Sequence, residues 1–386
     1  MVETAHGPAL GWIDWLARLL LWAVIVFGFA RQLADQLSGS EILLPLLLFA
    51  ALMAATLLAS IAPVAGRVYD LAQTEPVAAA ILPLVLLLPF YYYGRATDTF
   101  ELSDLLVAAV LLFMPMALVL VRTPRLRASD IWLGLATVAM PLVQPLIHNQ
   151  EIESTGLLLR AGAFALPILL LVFTSRRQKE RLDFLFLCAV LAVWYSIEFN
   201  AFPAFTLPGQ SADMPYFHLA AIPYFLYLLA AAGKFNRLGL SFKPSPRGLS
   251  IFTSNLAVFA LIAVPLGLLA KFITPGFSAS TPLEALARAL TIYAFVALPE
   301  EILFRGTLLT YLDETMRWPE AITIGISALV FGAAHLNNQP NPGWYFVLAV
   351  IAGVFYARTY LATRNVGTAA TLHTAVDWLW AFIFAG

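Results

Sequence analysis

The sequence predicts an all-α fold: a polytopic membrane helical bundle of about thirteen transmembrane helices. Three observations carry that reading. The 386 residues are 61% hydrophobic and 12% charged, with a mean hydropathy of +0.83; soluble domains carry roughly twice that charge fraction. Apolar runs long enough to span a ~30 Å hydrocarbon core recur along the whole chain. Between them, loops rich in Lys and Arg alternate with loops that hold almost none, as expected of a chain crossing a membrane repeatedly.

Taken in order, the runs fall at 12–31, 42–65, 76–94, 103–121, 130–148, 156–174, 183–202, 216–233, 251–273, 284–310, 319–337, 343–361 and 367–385. The N-terminal stretch lacks the basic region and small-residue cleavage site of a signal peptide, so the first run is expected to be retained. Prolines suggest kinks in 76–94 and 156–174, and Pro299 is expected to split the tenth run into two helical pieces. Most of the 22 basic residues follow even-numbered spans, which predicts a cytoplasmic N-terminus and residence in the cell inner membrane. The net charge of −1 argues neither for nucleic acid nor for acidic partners.

The clearest boundary is the basic, proline-containing loop 234–250. It divides a transmembrane region of unknown role, 1–249, from a second domain, 250–386. Upstream, intramembrane charge is sparse: Arg18, Arg160 and Glu198, the last two read as a packing pair. The single cysteine, Cys188, reads as a small core residue and excludes an intrachain disulfide.

Downstream of 250, residues of catalytic type accumulate. Glu300, Glu301 and Arg305 lie within one apolar run, and each charge costs roughly 2.5–3.5 kcal/mol to insert. Glu301 and Arg305 stand four apart, on one helical face, and can pair. A Glu–Arg pair that only locks two spans together accounts for those two but leaves Glu300 over. Glu300, turned about 100° away, is left for other work. His6, His148 and His218 read as interfacial. His335 follows Phe331 by four residues, and His373 precedes Asp377 by four, so that Asp377 can orient the imidazole. In a nearly dry site the charged form of a carboxylate is disfavoured, which suits Glu300 to general-base work. Imidazoles can stabilise an oxyanion or ligate a metal. Peptide-bond hydrolysis is the natural product of such a set.

The segments EEILFRG, FGAAH and HTAVD resemble, in that order, the three motifs of the CAAX-protease and bacteriocin-processing (CPBP, abortive-infection) family. These are intramembrane proteases related to the type II CAAX prenyl endopeptidase, which cleaves after a prenylated cysteine. The family pattern is Glu-Glu-x-x-x-Arg, Phe-x-x-x-His and His-x-x-x-Asn. The first two motifs are complete at Glu300, Glu301, Arg305, Phe331 and His335. The third carries Asp377 where asparagine is usual, and an ionised aspartate cannot donate to an oxyanion. Asp377 is therefore protonated, or orients His373, or marks a more metal-like site.

The resemblance covers about 250–386 and implies a CAAX-protease-like core there. It further implies that Glu300 activates water, that His335 supports it, and that His373 and Asp377 stabilise the intermediate. Glu301 and Arg305 would hold the first helix. Family members are often called metalloproteases, yet these residues fit a metal-free mechanism too. A divalent metal such as zinc, if used, would fall to Glu300, His335 and His373, although no three residues show an obvious ligand spacing. The implied partners are a membrane-associated, in some relatives prenylated, peptide or protein substrate and the lipid bilayer. The alternative is a proton- or ion-coupled transporter using the same buried cluster, and a further one is a silent scaffold binding partner helices. The helical rise puts the motif residues near mid-membrane, with the cytoplasmic side as the expected entrance.

Overall fold

The computed structural model describes residues 12–34, 179–199, 205–206, 213–214, 245–276 and 281–385, with isolated positions within 42–75 and 162–170. The spans read at 76–94, 103–121, 130–148 and 216–233 lie outside those residues, as does Arg160. The count of about thirteen helices therefore extends beyond what is described.

Internal contacts divide the chain into two units, residues 1–176 with 202–232 and residues 177–201 with 233–386. In the first, helix α1 (Trp12–Ala34) exposes Trp12, Trp15, Leu19 and Leu20, and the Trp22 indole donates to the Ala50 carbonyl at 2.8 Å. Strands β1 (Phe205–Thr206) and β2 (Asp213–Met214) form a two-residue antiparallel ladder.

The second unit contains α2 (Lys179–Glu198), α3 (Pro246–Leu269), a long helix α4 over residues 282–315, α5 (Glu320–Ala333), α6 (Pro342–Thr363) and α7 (Val366–Ile383). A 3-10 turn, Ala334–Asn337, extends α5. Pro246–Leu269, Glu320–Asn337 and Pro342–Thr363 are each long and apolar enough to cross a bilayer. The protein is an integral membrane protein. Helix α3 turns Leu249, Leu261 and Leu269 outward, the arrangement of a helix whose solvent is hydrocarbon. Cys188 is exposed on α2 and not in the core, because the buried face of α2 is supplied by Leu187, Val190, Val193, Trp194 and Ile197.

Local sequence sets the helix ends. Ser245 accepts from Gly248 N–H at 2.9 Å with Pro246 at the first helical position, where its missing N–H costs nothing. Thr281 and Glu284 close a capping box at the start of α4. Asn365 caps α7 through Gly367 N–H.

Helices α5 and α6 approach closely because small residues face each other, the usual device where lipid removes the hydrophobic drive to associate. A Cβ on Gly353 would stand 3.1 Å from Ala328 Cα and 3.2 Å from Phe331 Cδ1, and one on Gly332 would stand 2.4 Å from Val350 Cγ2.

The two ends of this bundle differ. At one end Arg364 pairs with Asp313 at 2.7 Å, tying the α6–α7 turn to the end of α4. At the other end Phe272 meets Tyr345 and Trp380 edge-on, with ring centroids 4.7 Å and 4.8 Å away. Beside them β3 (Thr274–Pro275) pairs with β4 (Phe384–Ala385).

Candidate active site

Pro299 does not split α4. Backbone angles stay helical at Ile292, Ala297, Leu298, Glu301, Ile302 and Thr310. The helix absorbs the proline by widening: Tyr293–Ala297, Ile302–Leu309 and Tyr311–Thr315 are π-helical, and Leu298 N–H reaches back five residues to Tyr293. A residue without an N–H is tolerated where the ladder has already shifted register, and such turns gather at functional sites. Two threonines support the wide turns, Thr307 donating to the Ile302 carbonyl and Thr310 to the Arg305 carbonyl, each at 3.0 Å.

This helix carries Glu300, Glu301 and Arg305, and all three are buried. Arg305 Nη1 lies 3.1 Å from Glu301 Oε1, both side chains fully shielded. The contact is at ion-pair distance but off hydrogen-bond alignment, since Nη1 has no hydrogen-bonded partner. Nη2 donates to the Gly353 carbonyl at 3.1 Å. The guanidinium also lies over Phe331, 4.5 Å from its ring centroid, with Tyr356 at 5.2 Å. Bare burial of such a charge would be prohibitive, and these contacts offset it.

Helix α7 brings His373 to the same place. Its Nδ1 is 3.0 Å from Glu301 Oε1; a carboxylate only accepts, so Nδ1 carries the proton. Its Nε2 then faces Asp377 Oδ2 at 3.4 Å and Glu300 Oε2 at 3.8 Å. The ring is stacked on Tyr356 with centroids 4.5 Å apart, and Phe331 meets it edge-on at 5.6 Å. His373 is thereby fixed in plane, with its Nδ1–H directed at Glu301.

His335 stands at the end of α5, half-buried. Its ring lies 4.8 Å from Phe331, and its Nδ1 donates to the Phe331 carbonyl at 3.1 Å, which leaves Nε2 as an acceptor. Phe331 therefore touches Arg305, His335 and His373 together. Glu300 Oε2 is buried without a hydrogen-bond partner.

The six expected site residues thus stand around Phe331 and Tyr356 on three helices. The sequence did not single out Tyr356 or Gly353; an aromatic and a small residue in an apolar run carry no signal of their own. Glu198 was read as packing against Arg160. That pair involves Arg160, outside the described residues; helix α2 itself ends beside the site, where Asn337 Nδ2 donates to the Glu198 carbonyl at 3.2 Å, and the Tyr195 hydroxyl donates to the Val330 carbonyl.

A metal finds no ready set of ligands. Among the described residues no three His, Cys, Asp or Glu side chains are placed to share an ion. His373 and His335 turn Nδ1 toward Glu301 and the Phe331 carbonyl, contacts that orient each ring and leave Nε2 as its remaining nitrogen.

Comparison with known proteins agrees with the motifs. No curated protein and no solved structure matches the chain. A family model described as type II CAAX prenyl endopeptidase Rce1-like matches residues 282–379. The match opens at the first turn of α4 and closes two residues beyond Asp377, so it takes in the whole cluster. Residues 282–379 are a domain of the CAAX-protease family.

Proposed function

We propose that the protein is an intramembrane endopeptidase of the CAAX type that hydrolyses a peptide bond in a membrane-associated polypeptide, prenylated or not, with Glu300 activating water. The observation that supports this role is the buried Glu300 Oε2, which has no hydrogen-bond partner and lies 3.8 Å from His373 Nε2. Its neighbour Glu301 also has a buried oxygen without a hydrogen-bond partner, Oε2, but its Oε1 is tied to Arg305 and His373, so Glu300 is the less committed of the two.

In this scheme water sits between Glu300 and the accepting Nε2 of His335. Glu300 takes one proton as the water oxygen bonds to the carbonyl carbon. The carbonyl oxygen, now negative, is stabilised by the Nε2–H of His373 in its doubly protonated form, with Nδ1–H held by Glu301. When the C–N bond breaks, Glu300 returns the proton to the leaving amine. Asp377, 3.4 Å from His373 Nε2, orients the ring; this geometry favours that reading of Asp377 over a metal-like one. Glu301 and Arg305 position, and Phe331 and Tyr356 hold the plane. All reacting groups fall within 250–386, proposed as the protease domain. The N-terminus is proposed to be cytoplasmic, in the inner membrane, from the Lys/Arg alternation.

The test compares membrane polypeptides in cells carrying wild-type protein and Glu300→Gln. An uncut precursor should accumulate with the variant; identical peptide populations would sink the reading.

A further inference from the structure

The cluster is closed at one end of the bundle and open at the other. From Glu301 toward the Arg364–Asp313 end, every residue of α4 to Leu312 is buried. On α7 the residues on that side of His373 include buried Val366, Ala369, Ala370 and Leu372, and on α6 Tyr356, Ala357 and Tyr360 are buried. A hydrogen bond of 2.8 Å between Thr310 and the Tyr360 hydroxyl lies in this layer, and the fully shielded Arg305 lies above it. No site member is exposed in that direction.

Toward the opposite end the shielding falls away on each element. Asp377, one turn beyond His373, is 36% exposed, against 3% for His373 itself. His335 and Asn337 are half-buried, and Leu336 between them is 45% exposed. Depth agrees: at a 1.5 Å rise, Asp377 lies about 20 Å from Arg364 and His335 about 22 Å from Glu320. Both are on the far side of a ~30 Å core.

The closed end is also the basic end. It holds Arg247, Arg317, Arg358 and Arg364, joined by Lys179 and Arg181 at the start of α2, whereas Lys271 and Arg288 stand toward the open end. Gly248 lies against Thr368, which puts Arg247 beside the start of α7 and confirms the common level. Lys and Arg are retained on the cytoplasmic side.

We infer that the site opens to the extracytoplasmic side, and that its substrate is a membrane-associated polypeptide cut at an internal bond near that face, not at a cytoplasmic terminus. This rests on the protease reading for the cut and on burial and charge alone for the opening. It reverses the cytoplasmic entrance expected from the sequence, because the basic loops mark the sealed end and not the mouth. Asp377 at the mouth repels a free carboxylate next to the scissile bond, which again favours an internal bond.

The experiment uses the full chain with its single cysteine removed, Cys188→Ala, and one new cysteine at a time. Leu336→Cys and Asp377→Cys report the mouth; Arg317→Cys reports the sealed end. Intact cells and inside-out vesicles are treated with a membrane-impermeant maleimide. The expected result is labelling of Leu336→Cys and Asp377→Cys from outside and of Arg317→Cys only from inside. Mouth positions that label only from the cytoplasmic side, or not at all from outside, overturn the inference. Leu336→Cys lies outside the catalytic set, so it remains a valid probe if Asp377→Cys misfolds. In parallel, new N-termini present with wild type and missing with Glu300→Gln should map to extracytoplasmic segments; cytoplasmic ones would overturn it. Labelling does not require catalysis. If Glu300→Gln cuts normally while Leu336→Cys still labels from outside, the opening stands and the protease reading fails.

Discussion

Glu301 Oε1 is shared between two helices: it lies 3.1 Å from Arg305 Nη1 on its own helix and 3.0 Å from His373 Nδ1 on α7. One carboxylate thus holds the guanidinium and accepts the Nδ1–H of the histidine. Adjacent Glu300 points Oε2, which has no hydrogen-bond partner, at Nε2, the other nitrogen of the same ring. In the proposed scheme two neighbouring glutamates thus divide structure from chemistry.

The division has a measurable consequence. Glu301→Gln leaves Arg305 buried without a counter-charge and should lower stability by about 3–5 kcal/mol. Glu300→Gln weakens only the 3.8 Å contact with His373 and should unfold near the wild-type temperature while losing cleavage. Thermal unfolding in detergent, read beside precursor accumulation, checks both. Equal behaviour of the two variants would refute the assignment.

The crossing of α5 and α6 predicts a graded response to added methyl groups. Gly332→Ala should be worst, since its Cβ meets Val350 Cγ2 at 2.4 Å and the Phe346 carbonyl oxygen, a backbone atom, at 3.0 Å. Gly353→Ala, at 3.1–3.2 Å from Ala328 and Phe331, should cost about 1–3 kcal/mol. It also pushes on the carbonyl that receives Arg305, so activity should fall with stability. Gly325→Ala and Gly343→Ala, with nothing within 4 Å, should be tolerated. Melting temperatures of the four variants give the order.

Tyr356 supplies a plane and not a proton in this scheme. Tyr356→Phe keeps the stack on His373 and should retain most cleavage. Tyr356→Ala frees the ring and opens a cavity, and should cost about 3–5 kcal/mol and on the order of a hundredfold in rate if the imidazole shifts by about 1 Å. A rate loss in Tyr356→Phe as large as in Tyr356→Ala would show that the hydroxyl, not the plane, matters.

The legible part of the site was the part written in charge. Glu300, Glu301, Arg305, His335, His373 and Asp377 are costly in an apolar run, so their spacing stood out, and the i, i+4 phase gave the Glu301–Arg305 pair. The shared contact between Glu301 and His373 was not legible, because it joins residues 72 apart whose level depends on how α4 and α7 pack. Pro299 misled for a related reason: a proline reads as a break when the helix is assumed to be α, and the π turns before and after it remove the conflict. The proposed entrance differs from the one expected from the sequence because basic loops indicate a side of the membrane, while a mouth depends on which end the side chains of α4, α6 and α7 fill.

Asp377 gives the sharpest remaining test, because the resembling family carries asparagine there. Its Oδ2 stands 3.4 Å from His373 Nε2, and the side chain is partly exposed. If its work is to orient the imidazole, an amide of the same shape can do it through its carbonyl oxygen and can add an N–H toward the oxyanion. Asp377→Asn should therefore keep cleavage within a few-fold of wild type, or raise it. Asp377→Ala removes the contact, leaves Nε2 facing Glu300 alone, and should lose about tenfold or more, with little change in melting temperature for so exposed a residue. Cleavage that dies in Asp377→Asn while the fold persists would mean that the charge itself is required, and the role would pass from orientation to proton handling.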